Sequence, residues 1–248
     1  MTTVIVAAGG LATGAAPAAA IAGGGDATPQ TAPYQVRLDV GGEFVCGGFL
    51  RDATTVVTAA HCVDRTPAEA VTVHFDGLDR TRLAQSRTVT RVLAHPGFSW
   101  RSGANDAALL KLSSPVTPSS TVGYAVLAGS APAAGADLTV TGWGRTSAGD
   151  LSTPLALKSL NERVAPRGAC QSSGLLSFLG LGASGGSSST LCATPLPGAG
   201  FCAGDSGGPA SVNGAVVGIV SRNKGCEKPG YDMYTSVSYL HGWLSQPL

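Results

Sequence analysis

A serine set among glycines, Ser206 in Gly204-Asp205-Ser206-Gly207-Gly208-Pro209, has the clearest capacity for covalent chemistry in this sequence. Flanking glycines let the chain turn tightly enough to expose the hydroxyl and to bring two backbone N–H groups together beside it. Those are the needs of a nucleophile with an oxyanion hole. A serine hydroxyl attacks poorly unless a base takes its proton and a third group orients that base. His61, in Ala59-Ala60-His61-Cys62, follows a β-prone run, and Asp106, in Asn105-Asp106-Ala107-Ala108, heads an apolar one. Together they read as nucleophile (Ser206), general base and then acid (His61) and imidazole orienter (Asp106), with the N–H groups of Gly204 and Ser206 as oxyanion donors. His74, His95 and His241 lack such a context, as do Asp52, Asp64 and Asp76, and they read as surface or turn residues.

The order His, Asp, Ser and the segments around it resemble the trypsin/chymotrypsin family of serine endopeptidases. The resemblance is carried by Ile21-Ala22-Gly23-Gly24, Pro33-Tyr34-Gln35-Val36, Cys46-Gly47-Gly48 and Thr141-Gly142-Trp143-Gly144, with the three segments above, and runs from Ile21 to the C-terminus. It implies an all-β fold of two antiparallel six-stranded barrels with a short C-terminal helix, His61 and Asp106 coming from the first barrel and Ser206 from the second. It also implies a monomer without cofactor or metal, acting on protein or peptide substrates and met by proteinaceous inhibitors. Ser221 matches a family serine that hydrogen-bonds the aspartate. Asp205 matches the acid that accepts a newly released N-terminal ammonium, and Ile21 matches the residue that carries it. The six cysteines, an even number, suit an oxidising compartment without fixing their pairing. The resemblance implies the pairs Cys46–Cys62, Cys170–Cys192 and Cys202–Cys226.

Substrate preference is where the pattern departs. Gly200 stands six residues before Ser206, where members that cut after Arg or Lys carry an aspartate. Phe201 is bulky at a commonly small position, and Arg222 and Asn223 follow Ser221 where Trp and Gly are usual. These features favour a small or altered primary pocket. Asp232, in Pro229-Gly230-Tyr231-Asp232-Met233-Tyr234, supports the other alternative, an acid in the pocket wall that selects Arg or Lys.

The elements that must position these residues are short. Runs at 34–40, 54–58, 71–75, 88–93, 108–112, 137–141 and 215–221 are β-prone and separated by Gly, Pro and Ser, which excludes alternating βαβ units. Residues 237–244 carry apolar positions at helical spacing. A Ser-, Pro- and Ala-rich tract at about 113–135 reads as a linker between an N-terminal barrel (about 21–115) and a C-terminal barrel (about 136–248). Residues 171–190, with Ser184-Gly185-Gly186-Ser187, read as a flexible loop.

Residues 1–20 lack charge and end Ala16-Pro17-Ala18-Ala19-Ala20, the apolar and cleavage portions of a secretory signal peptide. A secreted protein follows from that reading. No Arg or Lys precedes Ile21, so removal of the leader after Ala20 would itself create the new N-terminus, and a chain retaining Met1 would be a zymogen. A net charge of +1 over 248 residues excludes a nucleic-acid surface or a polybasic membrane anchor. Arginine outnumbers lysine, which points to a GC-rich bacterial source, of actinobacterial type. Two other functions use the same residues: a catalytically silent binding protein on this scaffold, and an esterase with this Ser-His-Asp set.

Overall fold

The structure is a computed structural model that describes residues 21–149, 151–171 and 189–248. Residues 1–20, expected to be a leader, and most of the Gly/Ser-rich tract at 171–190 lie outside the described residues.

After a two-residue strand β1 (Gly25–Asp26), six strands build the first barrel: β2 (Gln35–Val40), β3 (Glu43–Asp52), β4 (Thr55–Thr58), β5 (Val71–Phe75), β6 (Gln85–Ala94) and β7 (Ala108–Leu112). All pairings are antiparallel, in the order β2-β3-β4-β7-β6-β5, and β5 pairs back onto β2 to close the ring. Period-two burial drives this: Val71, Val73 and Phe75 of β5 point inward while Thr72 and His74 are half-exposed. The second barrel follows a short β8 (Val126–Leu127). It contains β9 (Asp137–Gly142), β10 (Lys158–Val164), β11 (Thr190–Thr194), β12 (Pro209–Val212), β13 (Ala215–Arg222) and β14 (Asp232–Ser236). Their order is β10-β11-β14-β13-β12-β9, and β9 pairs with β10 to close it. Two helices matter here: the four-residue α1 (Ala60–Val63) behind β4, and α2 (Val237–Leu244) at the end of the chain.

The expected all-β, two-barrel architecture is present, but the ends of the chain do not stay with the halves assigned to them. The first residues belong to the second barrel: Ile21 is fully buried among Leu138, Val140 and Ala199, and β1 pairs with β10. Conversely, α2 places Val237, Leu240 and Leu244 in the cluster that forms the first barrel's core, beside Val216 and Ile219 of β13. An i, i+3, i+7 apolar stripe must be covered, and this mixed cluster covers it. Ser236 caps the helix by accepting the Tyr239 N–H, and the Arg51 guanidinium takes up the free carbonyls of Leu244 and Gln246 at the other end.

Among the predicted runs, 71–75, 108–112 and 237–244 coincide with observed elements, while 88–93 extends to Gln85–Ala94. β3 is not among the predicted runs, and Gly47-Gly48 interrupt its β-prone pattern. Both glycines are needed inside the strand, since a Cβ on Gly48 would press on the Val57 carbonyl and the Leu38 side chain. Replacing Leu244, fully buried in the first barrel, by Ala is expected to cost about 2–5 kcal/mol of stability, measured by urea unfolding in a Ser206→Ala background to prevent self-digestion.

Candidate active site

Asp106 lies at the start of the chain's return into β7 and is buried, with 3% of its side chain exposed against 24% for His61. Its Oδ2 lies 2.7 Å from Nδ1 of His61 and accepts the Ser221 hydroxyl at 2.7 Å. Its Oδ1 accepts the backbone N–H of His61 at 2.9 Å, and its carbonyl accepts the Thr235 hydroxyl at 2.8 Å. Burial pushes the Asp106 carboxyl up, but hydrogen bonds and charge from His61, with the Ser221 hydroxyl, outweigh it and hold the group below the usual carboxylate range. An ionised aspartate so placed holds one imidazole tautomer, with a proton on Nδ1 and a lone pair on Nε2. His61 is anchored from behind by the Cys46–Cys62 disulfide, which joins α1 to β3.

The turn bearing Ser206 rests on the same elements. Gly47 N–H donates to the Ser206 carbonyl at 2.8 Å. A Cβ on Gly207 (φ 79°) would collide with the Thr58 hydroxyl and the Gly47 carbonyl, so only glycine lets the serine turn approach the segment leading into His61. In this turn the N–H groups of Asp205, Gly207 and Gly208 all donate to backbone carbonyls, whereas among the described residues those of Gly204 and Ser206 meet no acceptor. Ser206 and Ser221 line one cavity of about 460 Å³, with Phe201, Arg222 and Asn223 among its other walls.

A sequence model of the Trypsin family matches residues 21–244. The chain belongs to the trypsin family. Among similar proteins are Hypodermin-B of Hypoderma lineatum, 34% identical over 91% of this chain and 86% of that protein, and Trypsin delta of Drosophila melanogaster, 32% identical over 90% and 87%. Trypsin alpha of Drosophila erecta is 33% identical over 90% of this chain and 86% of its own length. All three are insect proteins, so they lend no support to the bacterial source that the arginine excess suggests.

The remaining residues singled out for this trypsin-family chain fall into two groups. Asp205 is fully buried and accepts N–H bonds from Gly144 at 2.7 Å and Cys202 at 2.8 Å. Burial lifts its carboxyl to about 7 against the pull of those two bonds. Gly142 and Gly144 of the Thr141-Gly142-Trp143-Gly144 segment have no side chain because the Asp205 carboxylate fills that space. Ile21 and Ala22 enter the same barrel, with the Gly200 N–H bonded to the Ala22 carbonyl. All three disulfides pair as the resemblance implies; Cys202–Cys226 braces the segment before Ser206, and Cys170–Cys192 ties the chain to β11. Among the described residues, the His/Cys/Asp/Glu group close enough to suggest a metal is Cys46, His61 and Cys62, and both of its sulfurs are spent in a disulfide.

The second group surrounds the pocket. The Asn223 carboxamide donates to the Phe201 carbonyl at 2.8 Å and to Asp232 Oδ1 at 3.0 Å, while its oxygen accepts the Gly225 N–H. Asp232 is buried behind it, also accepting the Phe201 N–H at 3.0 Å, and does not line the cavity. The Phe201 ring packs edge-on against Tyr234 in the barrel core, and Gly200 abuts the Asp232 carboxylate.

Sequence reading missed Glu162, buried beside Asp232 and bonded by the Tyr234 hydroxyl at 2.9 Å. The alternation Leu160, Glu162, Val164 on the inner face of β10 was the available signal. Burial, then the charge of Asp232, pushes its carboxyl up to about 9. In the unfolded chain that group ionises near its ordinary 4.5, so between these values the native state holds the extra proton. The group's contribution to unfolding free energy therefore falls as pH rises through this window, by at most about 1.4 kcal/mol per unit. Urea unfolding of Ser206→Ala protein from about pH 6 to pH 9 is expected to show this decline, and adding Glu162→Gln to flatten it.

Proposed function

We propose that this trypsin-family chain is a secreted serine endopeptidase that acts as a monomer through an acyl-enzyme. Ser206 Oγ attacks the peptide carbonyl as His61 Nε2 takes its proton, and Asp106 holds the imidazole and stabilises the imidazolium. The negative oxygen of the tetrahedral intermediate is held by the N–H groups of Gly204 and Ser206. His61 then protonates the departing amine, and water, deprotonated by His61, releases the acyl group from Ser206. The observation that carries this reading is the pairing of a fully bonded, ionised Asp106 beneath His61 with two N–H donors left unspent beside Ser206.

The reading extends to specificity. Asn223 reaches the opposite wall of the pocket and stands before Asp232, with its hydrogen-bonding groups engaged. A long basic side chain would have to displace it to reach the carboxylate, which supports cleavage after small residues over cleavage after Arg or Lys. Digestion of a diverse peptide library by protein beginning at Ile21, with a Ser206→Ala control, is expected to give serine-dependent cuts clustered after small residues, mapped by mass spectrometry. Peptides left intact by protein whose Ser206 reacts with an active-serine probe would overturn the endopeptidase reading.

Maturation follows from Asp205. A free Ile21 ammonium would give this buried carboxylate its counter-ion and order the oxyanion turn beside it. With one residue added before Ile21, kcat/KM is expected to fall by at least about a hundredfold. The stability gap between the two forms is expected to widen from about pH 4 to pH 7, because the unpaired Asp205, with its value near 7, resists ionisation while the paired one does not.

A further inference from the structure

Three cations stand around the cavity that holds Ser206. Arg145, Arg222 and Lys224 all line it, and among the described residues no acidic one does. Among the described residues none of the three forms an ion pair. The acids bonded to lining residues are Glu227, which accepts the Ala148 N–H at the rim, and, buried behind the wall, Asp106, Asp205 and Asp232, which accept from Ser221, Cys202 and Asn223. A chain of net charge +1 thus gathers at the mouth of one cleft three cations that form no ion pair, and the field of such a group is strengthened by low-dielectric walls.

Arg222 is the best placed of the three. It is half-buried at the end of β13, next to Ser221, and its guanidinium packs against Gly103, where a Cβ would collide with it. Gly103 (φ 65°) belongs to the loop leading to Asp106, so the side chain reaches from β13 to a first-barrel loop. Five N–H donors in such a fork suit a carboxylate, and a partly desolvated guanidinium without an anion is one whose partner is still to arrive.

The backbone beside it can receive a peptide. β13 pairs with β14 along one edge as far as Arg222, but its pairing with β12 on the other edge ends at Ile219. Beyond that point, among the described residues, the turn around Ser206 meets it, through Gly207 N–H to the Val220 carbonyl and Val220 N–H to the Gly208 carbonyl. The next residues offer a strand edge running away from the serine, where an extended substrate can add as a further strand and set a side chain beside Arg222.

Resting on the endopeptidase reading above, we propose that Arg222 is a specificity-determining residue that selects peptide substrates with an aspartate or glutamate a few residues from the scissile bond, Lys224 and Arg145 enlarging the field that draws them in. The test takes the best-cleaved neutral peptide and places Glu, Gln or Lys at each position within about four residues of the cut. At one position Glu is expected to exceed Gln by about tenfold in kcat/KM, mostly through KM, and the ratio to shrink as NaCl rises from about 0.05 M to about 0.5 M. In Arg222→Gln that ratio is expected to drop to about one, and in Arg222→Glu to turn in favour of Lys at the same position. Labelling of Ser206 by an active-serine probe establishes that each variant is folded. Absence of a Glu preference at every position, or a Glu preference that survives in both variants, would overturn the assignment. If no peptide is cut by protein that the probe labels, the endopeptidase reading has failed, and this inference falls with it.

Discussion

The burial of one carboxylate, that of Asp106, is the constraint on which the remaining geometry hangs. A lone ionised acid could not stay in this interior; it does so because three hydrogen bonds converge on its carboxylate, two from His61 in the first barrel and one from Ser221 in the second, while Thr235 bonds its backbone carbonyl. The Ser221 bond that helps keep it ionised, together with the Thr235 bond to its backbone, therefore also clamps β13 and β14 of one barrel against the mouth of the other. Chemistry and the docking of two halves depend on a single set of contacts, so a shift between the barrels would be felt at the imidazole.

Missing side chains do the complementary work. Gly47 and Gly207 let the Ser206 turn sit directly on β3 and on the segment before His61, and Gly142 and Gly144 leave the space that the Asp205 carboxylate occupies. Packing here is set by backbone against backbone, which rotamer changes cannot soften, and the Cys46–Cys62 and Cys202–Cys226 bridges hold the two sides of that contact. The Gln35 side chain adds a buried polar tie, its oxygen accepting the Thr141 hydroxyl across the barrels at 2.7 Å.

How much of this was legible in the sequence depended on whether local pattern or distant contact decided the outcome. β5 and β7 were readable because their inward residues alternate or run apolar for a full strand, and α2 because its stripe lies on one face. β3 was hidden by two glycines whose purpose is the close approach of other strands, and β14 by Asp232, a buried acid in a strand that otherwise reads as a loop. The Asp106, His61 and Ser221 cluster was foreseeable from spacing and resemblance. The role of Asn223 as a strut across the pocket was not, since it depends on a carbonyl, a carboxylate and an N–H brought together by the disulfide-bounded loop. Glu162 escaped because a buried acid with an acid neighbour contradicts the ordinary expectation for an inward position.

The exchange of ends between the barrels bears on the order in which the protein can come together. The first barrel's strands are complete by Leu112, yet its core cluster takes in Val216, Ile219, Val237, Leu240 and Leu244 from the last part of the chain, and the second barrel in turn receives Ile21 from the beginning. Neither half can finish as an independent unit during synthesis; each waits on residues from the far end of the chain. Such non-local closure slows folding.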